Sequence, residues 1–363
     1  MDILNLPRAD QLDTMNSFLA SIASHQDGGI GIKSFADLQR INRMGLGKKL
    51  LTVGDSFIAN YKNSPVVWDV IEIDHETPTD KNFTHSITIL PRIVLHNAQF
   101  SAPQAFYNVG DGLGAGTHIF TFAQGDATWE RQYEFETSEP IPEGGVIRAT
   151  SWSDDYEISA VTTYEADRKT VVESGISVTI VTGQADTLTR AINERVRSRY
   201  GSNNYLESAI KQWMNSDAKT FEWQAQTDFD MPSSYETEGF LDLLDPELVA
   251  VLGSVDKQVS KNHHADTDGN GQFTFSDKVF LLSRVEVGLG TEGTTTGEKV
   301  YEFYDGASNA DRIKLLTGDL RHWWLRSPLT STSNSVRHVS TSGELDNYHA
   351  TSSLGFVPAC VII

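Results

Sequence analysis

The sequence predicts an α+β protein in which short helices come first, strands fill most of the remaining chain, and an all-β stretch lies in the middle. Apolar residues recur at helical spacing near the N-terminus and again over 187–214. Runs of β-branched and aromatic residues, separated by turn residues, begin at about residue 50. Between 108 and 184 the helical periodicity disappears, and glycine-rich turns separate short apolar runs.

Two amphipathic helices are predicted near the N-terminus. Residues 10–23 carry apolar side chains at helical spacing. A second helix follows, because Ser34 is a suitable N-cap with Asp37 at the third position, and Gly45 is a suitable end. We assign residues 1–49 to a helical segment for attachment or assembly.

Strands are predicted on both sides of the middle stretch and within it. Before the middle stretch they cover 53–57, 66–71 and 86–90. Within it they cover 119–122, 132–137, 146–149, 158–163 and 176–181. An all-β stretch of this kind is typical of a sandwich. We therefore predict a sandwich-like module over 108–184, inserted into a domain formed by 50–107 and 185–363.

Helical periodicity resumes after the all-β module. One helix is predicted over 187–199, and another from an Asn204 cap with Glu207 at the third position. Strands return beyond residue 270, and the apolar last residues, 359–363, are predicted to form a buried final strand.

The composition excludes several classes of protein. Lys and Arg total 29 against 49 Asp and Glu, so the formal net charge is −20 and we predict no nucleic-acid partner. Cys360 is the only cysteine, so no intrachain disulfide can form. The N-terminus lacks the basic start and apolar run of a secretory signal, and no stretch is apolar enough to span a bilayer. We predict no signal peptide and no membrane insertion.

Four short blocks carry a family resemblance. Residues 323–328 read Trp-Trp-Leu-Arg-Ser-Pro and residues 355–359 read Gly-Phe-Val-Pro-Ala. Earlier, 53–55 read Val-Gly-Asp and 68–71 read Trp-Asp-Val-Ile. This order resembles a phage and bacterial domain family of uncharacterised function, marked by the Trp-Trp-Leu-Arg-Ser-Pro block and a terminal Gly-Val-Arg-Pro-Ala block. The terminal block departs from that pattern at two of its five positions.

The resemblance covers roughly 50–107 and 187–363. That family is similar to the C-type-lectin-like variable proteins of diversity-generating retroelements. The resemblance implies a C-type-lectin-like domain, interrupted by the all-β module, whose surface side chains can change while its core stays constant. We expect Trp323 and Trp324 to pack in the core or at its rim, and Arg326 to pair with a buried acid or with backbone carbonyls.

Residues 330–353 fit a display surface by composition, because eleven of these 24 residues are Ser or Thr. Tyr among small polar residues is typical of antibody-like contact surfaces. The alternative is a solvated loop that binds nothing, but the two flanking blocks would hold such a loop in position, which favours binding. The predicted ligand-binding residues are Ser331, Ser333, Asn334, Ser335, Arg337, His338, Ser340, Asp346, Asn347, Tyr348, His349, Thr351 and Ser353.

A calcium loop is a second candidate site. Asp266, Asp268 and Asn270 occupy the first, third and fifth positions of an EF-hand-like loop, and Asp277 occupies the twelfth. Asp277 is shorter than the usual Glu, the segment continues into a strand pattern, and Asn270-Gly271 is equally a hairpin turn signal. Calcium binding and a plain turn both stay open, and no other cofactor is predicted.

No catalytic motif is present in the sequence. We find neither Gly-x-Ser-x-Gly nor His-Glu-x-x-His. The formylglycine-generating enzymes, which share the lectin-like fold, depend on cysteines, and Cys360 alone in a terminal apolar strand does not fit them. We predict that the chain is not an enzyme.

We therefore expect a non-enzymatic receptor-binding or adhesion protein, made in the bacterial cytoplasm and carried in a phage virion, such as on a tail fibre. Its target for host recognition would be a glycan or a protein on a cell surface, and its other partners would be virion proteins. A homotrimer is consistent with multivalent presentation, although no heptad repeat predicts one. The alternatives are a structural virion protein, such as a head or tail decoration, and a carbohydrate-active enzyme.

Overall fold

The computed structural model describes most of the chain outside its N-terminus and parts of its middle. The described residues are 32, 34–103, 107–108, 111–123, 130–137, 139–141, 143, 146–148, 160–164, 171–176, 178–183, 197, 200–220, 222–225, 232, 235, 238–263, 265, 271–293 and 297–363. Within them the protein is mixed α and β, with many strands and few, short helices. The predicted α+β class is confirmed at this level.

The helices of the described residues are short. The α-helices are α1 (Phe35–Arg43), α2 (Gly47–Leu50), α3 (Ala209–Met214), α4 (Phe240–Leu243) and α5 (Pro246–Val249). The 3-10 helices are η1 (Tyr205–Glu207), η2 (Glu302–Tyr304) and η3 (Asn309–Arg312). No helix in these ranges is long and apolar enough to cross a membrane.

Local capping explains where the helices begin. The Ser34 hydroxyl accepts the Asp37 N–H at 3.2 Å, and Gly45 follows α1 with a φ of 65°, so the predicted second helix is confirmed. Asn204 caps only η1, and a new cap at Ser208 starts α3, so one predicted helix is in fact two. The predicted helix over 10–23, and all of the helix over 187–199 except Arg197, lie outside the described residues.

The strands of the first half are β1 (Ser56–Tyr61), β2 (Ser64–Ile73), β3 (Thr77–Pro78), β4 (Ile87–Pro91), β5 (His96–Gln99), β6 (Tyr107–Asn108), β7 (Gly116–Ala123), β8 (Glu130–Thr137), β9 (Val146–Arg148), β10 (Ala160–Tyr164), β11 (Val171–Ile176) and β12 (Val178–Gly183). The later strands are β13 (Val255–Ser260), β14 (Gln272–Asp277), β15 (Val279–Leu281), β16 (Lys314–Leu316), β17 (Asp319–Arg321), β18 (Trp323–Pro328), β19 (Ser335–Val339), β20 (Leu345–His349), β21 (Ser353–Phe356) and β22 (Pro358–Ile362).

The first large sheet has the strand order β1-β2-β4-β22-β15. Its pairs are all antiparallel, with Ile89 opposite Cys360 and Phe280 opposite Ala359. Every residue of β4 and β22 is buried, as expected for strands with both faces covered. The prediction of a buried final strand is confirmed.

The second large sheet has the order β20-β19-β18-β21-β5. The β18–β21 pair is parallel, with Trp323 opposite Gly355, and the other pairs are antiparallel. Strands from 50–103 and from 271–363 meet in both large sheets, so the two ends of the described chain fold together. β20 lies at the outer edge of this sheet.

Smaller sheets complete the fold. Two of them are the three-stranded sheet β14-β13-β3 and the hairpin β16-β17. The middle stretch forms two more, β11-β10-β9-β6 and β12-β8-β7. The predicted strand content of the middle stretch is confirmed where the structure describes it. The sandwich arrangement and the insertion of 108–184 into another domain stay predictions.

A single hydrophobic cluster joins most of the described helices to both large sheets. Trp213 of α3 lies within it, with its ring stacked on Tyr235 at 5.1 Å between centroids and edge-on to Phe356 of β21 at 5.2 Å. This packing fixes α3 against β21, whose neighbour β18 carries the Trp-Trp block.

Candidate functional site

The predicted display surface folds as the β19–β20 hairpin at the edge of the second sheet. Arg337 lies opposite Asn347, and His338 lies opposite Asp346. Side chains alternate between the two faces of a strand, so residues 337 and 347 share one face while 338, 346 and 348 share the other. The hairpin therefore divides the predicted contact residues between two opposite faces.

One face presents an aromatic side chain to solvent. Tyr348 is 46% exposed, and its ring stacks on His338 with the centroids 5.3 Å apart. His322 contacts Tyr348 edge-on at 6.0 Å, and its Nδ1 lies 3.1 Å from Nε2 of the fully buried His338. Asp346 is exposed beside them. We call the set His322, His338, Asp346 and Tyr348 the Tyr348 face.

Trp324 lies directly beneath this face, and strand alternation places its neighbour Trp323 on the other side of β18. Trp324 is opposite His338 in the β18–β19 pair, and their rings meet edge-on at 6.2 Å. The Trp324 Nε1–H donates to the Ala98 carbonyl of β5 at 2.8 Å, and the Trp323 Nε1–H donates to the Arg312 carbonyl at 2.9 Å. Both tryptophans are fully buried, which confirms their predicted place in the core.

Arg326 is also fully buried, as its predicted pairing requires. Its guanidinium contacts the carboxylates of Glu286 and Glu298, and donates to the carbonyls of Gln258 and Leu281. The prediction named a buried acid or backbone carbonyls as its partners, and the structure contains both. Arg326 therefore anchors the framework and is not part of the Tyr348 face.

The opposite face of the hairpin is engaged within the protein. Arg337 Nε lies 2.6 Å from Glu292 Oε2, and the same carboxylate accepts from Arg284 Nη1 at 2.7 Å. His349 stacks on Tyr200 with the centroids 4.2 Å apart. Arg337 and His349 are thus half-buried and hold the hairpin against its surroundings.

The beginning of the polar run is a turn held from a distant part of the chain. Asn203 is fully buried, and its Nδ2 donates to the carbonyls of Thr332 and Ser335 at 3.1 and 2.7 Å. Its Oδ1 accepts from Asn262 Nδ2 at 2.8 Å, so its position is fixed in turn. The turn can be buried because its carbonyl groups accept hydrogen bonds from within the protein.

The exposure of the thirteen predicted contact residues varies widely. Five are buried and contribute no exposed side chain: Ser333, Asn334, Ser335, His338 and Ser340. Four are half-buried: Arg337, Asn347, His349 and Thr351. Four are exposed: Ser331, Asp346, Tyr348 and Ser353. Ser353 lies in β21, on the far side of β18 from the hairpin, so the Tyr348 face brings together only part of the set.

His322 was not among the contact residues predicted from the sequence. It lies two residues before Trp324, so the alternation of a strand places both on the side that His338 occupies. Only the register of β18 against β19 reveals that proximity, and the sequence does not state the register.

Three of the four predicted calcium ligands, Asp266, Asp268 and Asn270, lie outside the described residues. The fourth, Asp277, is buried at the end of β14, with Lys211 Nζ 3.2 Å from one of its oxygens. Burial raises the pKa of the Asp277 carboxyl, although Lys211 opposes the rise. In the part of the chain that the structure describes, no three His, Cys, Asp or Glu side chains form a metal-binding group. Calcium stays a prediction.

Acidification is expected to destabilise the protein through His338. Burial lowers the pKa of His338 to about 4, and His322 adds to the lowering. An unfolded histidine takes up its proton near pH 6.5. Its contribution to stability is therefore fully present above pH 6.5 and is lost as the pH falls toward 4, by up to about 3 kcal/mol.

Urea unfolding of the wild type and of His338→Gln at several pH values between 4 and 7.5 measures this effect. The free energies of unfolding should differ by an amount that changes with pH, because only the wild type carries the buried imidazole. Parallel curves for the two proteins would contradict the expectation.

Comparison with known proteins places the chain in a family. Residues 179–363 match the model of a family described as a domain of unknown function (DUF6273), which covers just over half of the chain. Searches of curated proteins and of solved structures found no match. The matched range includes the Trp-Trp block, the hairpin and the final strand. The chain belongs to this DUF6273 family of domains of unknown function.

Proposed function

We propose that the chain is a non-enzymatic adhesion protein that recognises a receptor on a cell surface through its Tyr348 face. The observation that carries this proposal is the exposed ring of Tyr348, held in place by stacking on buried His338. Aromatic side chains of this kind dominate binding energy at recognition surfaces.

The support beneath Tyr348 favours recognition because it reduces the entropy lost on binding. His338 is in contact with Trp324, and Trp324 is bonded to β5, so the ring rests on the core of the second sheet. A side chain that is already positioned needs little further ordering when a target binds. Asp346 lies beside it as an exposed polar contact.

The proposed contact surface is narrower than residues 330–353. It centres on Tyr348 and Asp346, with exposed Ser342 and Glu344 in the connecting turn. These side chains lie outside the hydrophobic cluster, so replacing them would leave the core unchanged. This separation supports a C-type-lectin-like display framework of the kind found in variable proteins of diversity-generating retroelements, which we propose for this chain.

We infer that the protein is carried on a phage particle, where other virion proteins and further copies of this chain would be its partners. The family resemblance of the sequence blocks supports that setting. The target would be a glycan or a protein, since an aromatic ring with polar neighbours suits both.

Replacing Tyr348 by Ala is expected to weaken target binding at least about tenfold, because a central aromatic contributes roughly 2 kcal/mol or more. Binding of the labelled chain to a panel of bacterial cells and to an array of purified glycans would measure the loss. The melting temperature should change little, since the ring is nearly half exposed.

Two variants control for this experiment. Tyr348→Phe keeps the ring and should keep most of the binding. Ile58→Ala removes an apolar side chain that is 67% exposed on the first sheet, and should bind as the wild type does. Equal binding by Tyr348→Ala and the wild type would refute the Tyr348 face. A chain that binds no surface but is found in virions would instead be a structural decoration protein.

A further inference from the structure

A concave site lies away from the hairpin. It has a volume of about 590 Å³ and is lined by residues of β3, β13, β14 and β18 and by Glu286, Gly297 and Glu298. Its floor is buried and charged: Glu76, Lys257, Glu286 and Arg326. Its rim is exposed and polar: Asp256, Thr274 and Ser276. It shares no residue with the Tyr348 face.

The protons of Lys257 are all used within the protein. Its Nζ lies 2.9 and 3.0 Å from the two oxygens of Glu76, and 2.5 Å from Glu286 Oε1. It also lies 3.2 Å from the hydroxyl of Tyr301, which donates its own proton to Glu76. An ammonium group has three protons, and these contacts account for each of them.

Arg326 is in the same condition. Its Nε–H donates to the Gln258 carbonyl at 3.0 Å, and Nη1 donates to the Leu281 carbonyl at 2.9 Å and to Glu286. Nη2 donates to Glu286 at 2.8 Å and to Glu298 at 2.6 Å. A guanidinium has five N–H donors, so none is left for a ligand.

The negative charges at this cavity, in contrast, outnumber the positive charges. Among the described residues, the three carboxylates of Glu76, Glu286 and Glu298 pair with two cations, Lys257 and Arg326, which leaves one negative charge in excess. Buried Oε1 of Gln258, at the same wall, has no hydrogen-bond partner among the described residues. A buried charge without a counter-charge is costly, so the wall favours a positively charged donor.

Of the three carboxylates, Glu298 has the fewest positively charged contacts, because it pairs only with the Arg326 Nη2 among the described residues. Burial raises the pKa of its carboxyl, and the nearby Glu286 carboxylate adds to the rise against the opposing effect of Arg326. Glu76 has both Lys257 and Tyr301 as donors, and Glu286 has both cations. A cation entering from the rim would thus find its counter-charge at Glu298.

We propose that this cavity binds a small organic cation carrying an ammonium group, with Glu298 as its counter-charge. An anion would meet carboxylates and find the protons of Lys257 and Arg326 already engaged. A neutral ligand would leave the excess charge unmatched. A bound ammonium supplies both the positive charge and the hydrogen-bond donors that this wall lacks.

The test is isothermal titration calorimetry of the full chain with n-butylammonium, 1-butanol and butyrate, which are of similar size and differ in the charge of the head group. We expect butylammonium to bind and the other two not to. Glu298→Gln should weaken butylammonium binding at least about tenfold, as loss of one charged partner at a buried site does. Asp319→Asn removes the same charge from a side chain that is 73% exposed, and should leave the affinity unchanged.

Thr274→Trp provides a second variant, because it adds bulk at the exposed rim without removing a charge or a core contact. It should also weaken butylammonium binding, and it decides the matter if Glu298→Gln fails to fold. Tyr348→Ala should bind butylammonium as the wild type does. Binding of butyrate as strong as that of butylammonium, or unchanged amine affinity in Glu298→Gln or Thr274→Trp, would overturn the proposal, as would no amine binding at all.

Discussion

Replacing Glu286 by Ala is expected to lower the free energy of unfolding by about 3–5 kcal/mol, because it removes the carboxylate that two buried cations share and leaves several of their N–H donors without an acceptor. Glu286 is 1% exposed, and it contacts Lys257 and both terminal nitrogens of Arg326. It also accepts the Ser283 N–H at 2.8 Å. Urea denaturation at pH 7 would show the loss as a lower transition midpoint with an unchanged slope.

The controls for Glu286→Ala separate charge from shape. Glu286→Gln keeps the size of the side chain and removes its charge, so it should fall between the wild type and Ala. Lys81→Ala breaks an exposed ion pair with Asp256 and should cost at most about 1 kcal/mol. A loss for Glu286→Ala no larger than that of Lys81→Ala would show that the buried network contributes little.

The Glu286 carboxylate also determines how stability changes with pH. Burial alone would raise the pKa of Glu286, but Arg326 and Lys257 outweigh burial and hold it well below the usual value of 4.5. A lowered pKa stabilises the folded state above the unfolded pKa, and that contribution is lost only as the pH falls toward the folded value. The wild type should therefore keep the Glu286 contribution at mildly acidic pH, where the His338 contribution is already falling.

Replacing Trp324 by Ala is expected to lower the free energy of unfolding by about 3–5 kcal/mol, since it opens a cavity in a close-packed core. Trp324 is fully buried against Phe100, with the ring centroids 5.8 Å apart. The change also removes the hydrogen bond to the Ala98 carbonyl, which links β18 to β5 across β21. Urea denaturation would measure the loss.

Trp324→Phe is the matched variant for this position. It fills most of the volume but cannot donate to Ala98, so it should cost about 1–3 kcal/mol. Under conditions in which Trp324→Ala is still folded, target binding should fall as well, because His338 loses its support under Tyr348. Full binding by a folded Trp324→Ala would show that the ring of Tyr348 does not depend on the core beneath it.

Local signals were sufficient to predict much of the fold. The cap at Ser34 and the glycine at 45 mark the ends of α1 because both act through neighbouring backbone groups. The apolar run at the C-terminus became β22 because a strand buried on both faces needs no alternation. Trp323 and Trp324 were expected to pack in the core or at its rim, and both are fully buried.

The contact surface could not be predicted as accurately, because strand register is a tertiary property. The polar run 330–353 looked continuous, but its hairpin directs Arg337 and Tyr348 to opposite faces. Its first turn is buried through Asn203, more than a hundred residues earlier in the chain. No pattern within the run signals that partner.

The cavity was missed for a related reason, although one signal was available. In β13 the alternation Val255, Lys257, Val259 places a lysine on the apolar, buried side of the strand. A lysine in that position requires a counter-charge, which points to a nearby acid. Glu76 and Glu286 are distant in sequence, so their identity needed the folded chain.

The position of β20 at the margin of its sheet has an evolutionary consequence. A strand with one neighbour pairs with less of the sheet than a central strand does, and the exposed side chains at 346 and 348 lie outside the hydrophobic cluster. Under the proposed function, mutations there would alter which partner is recognised while changing the stability of the fold little. Lineages that meet changing hosts could then explore new specificities without first acquiring compensating changes elsewhere.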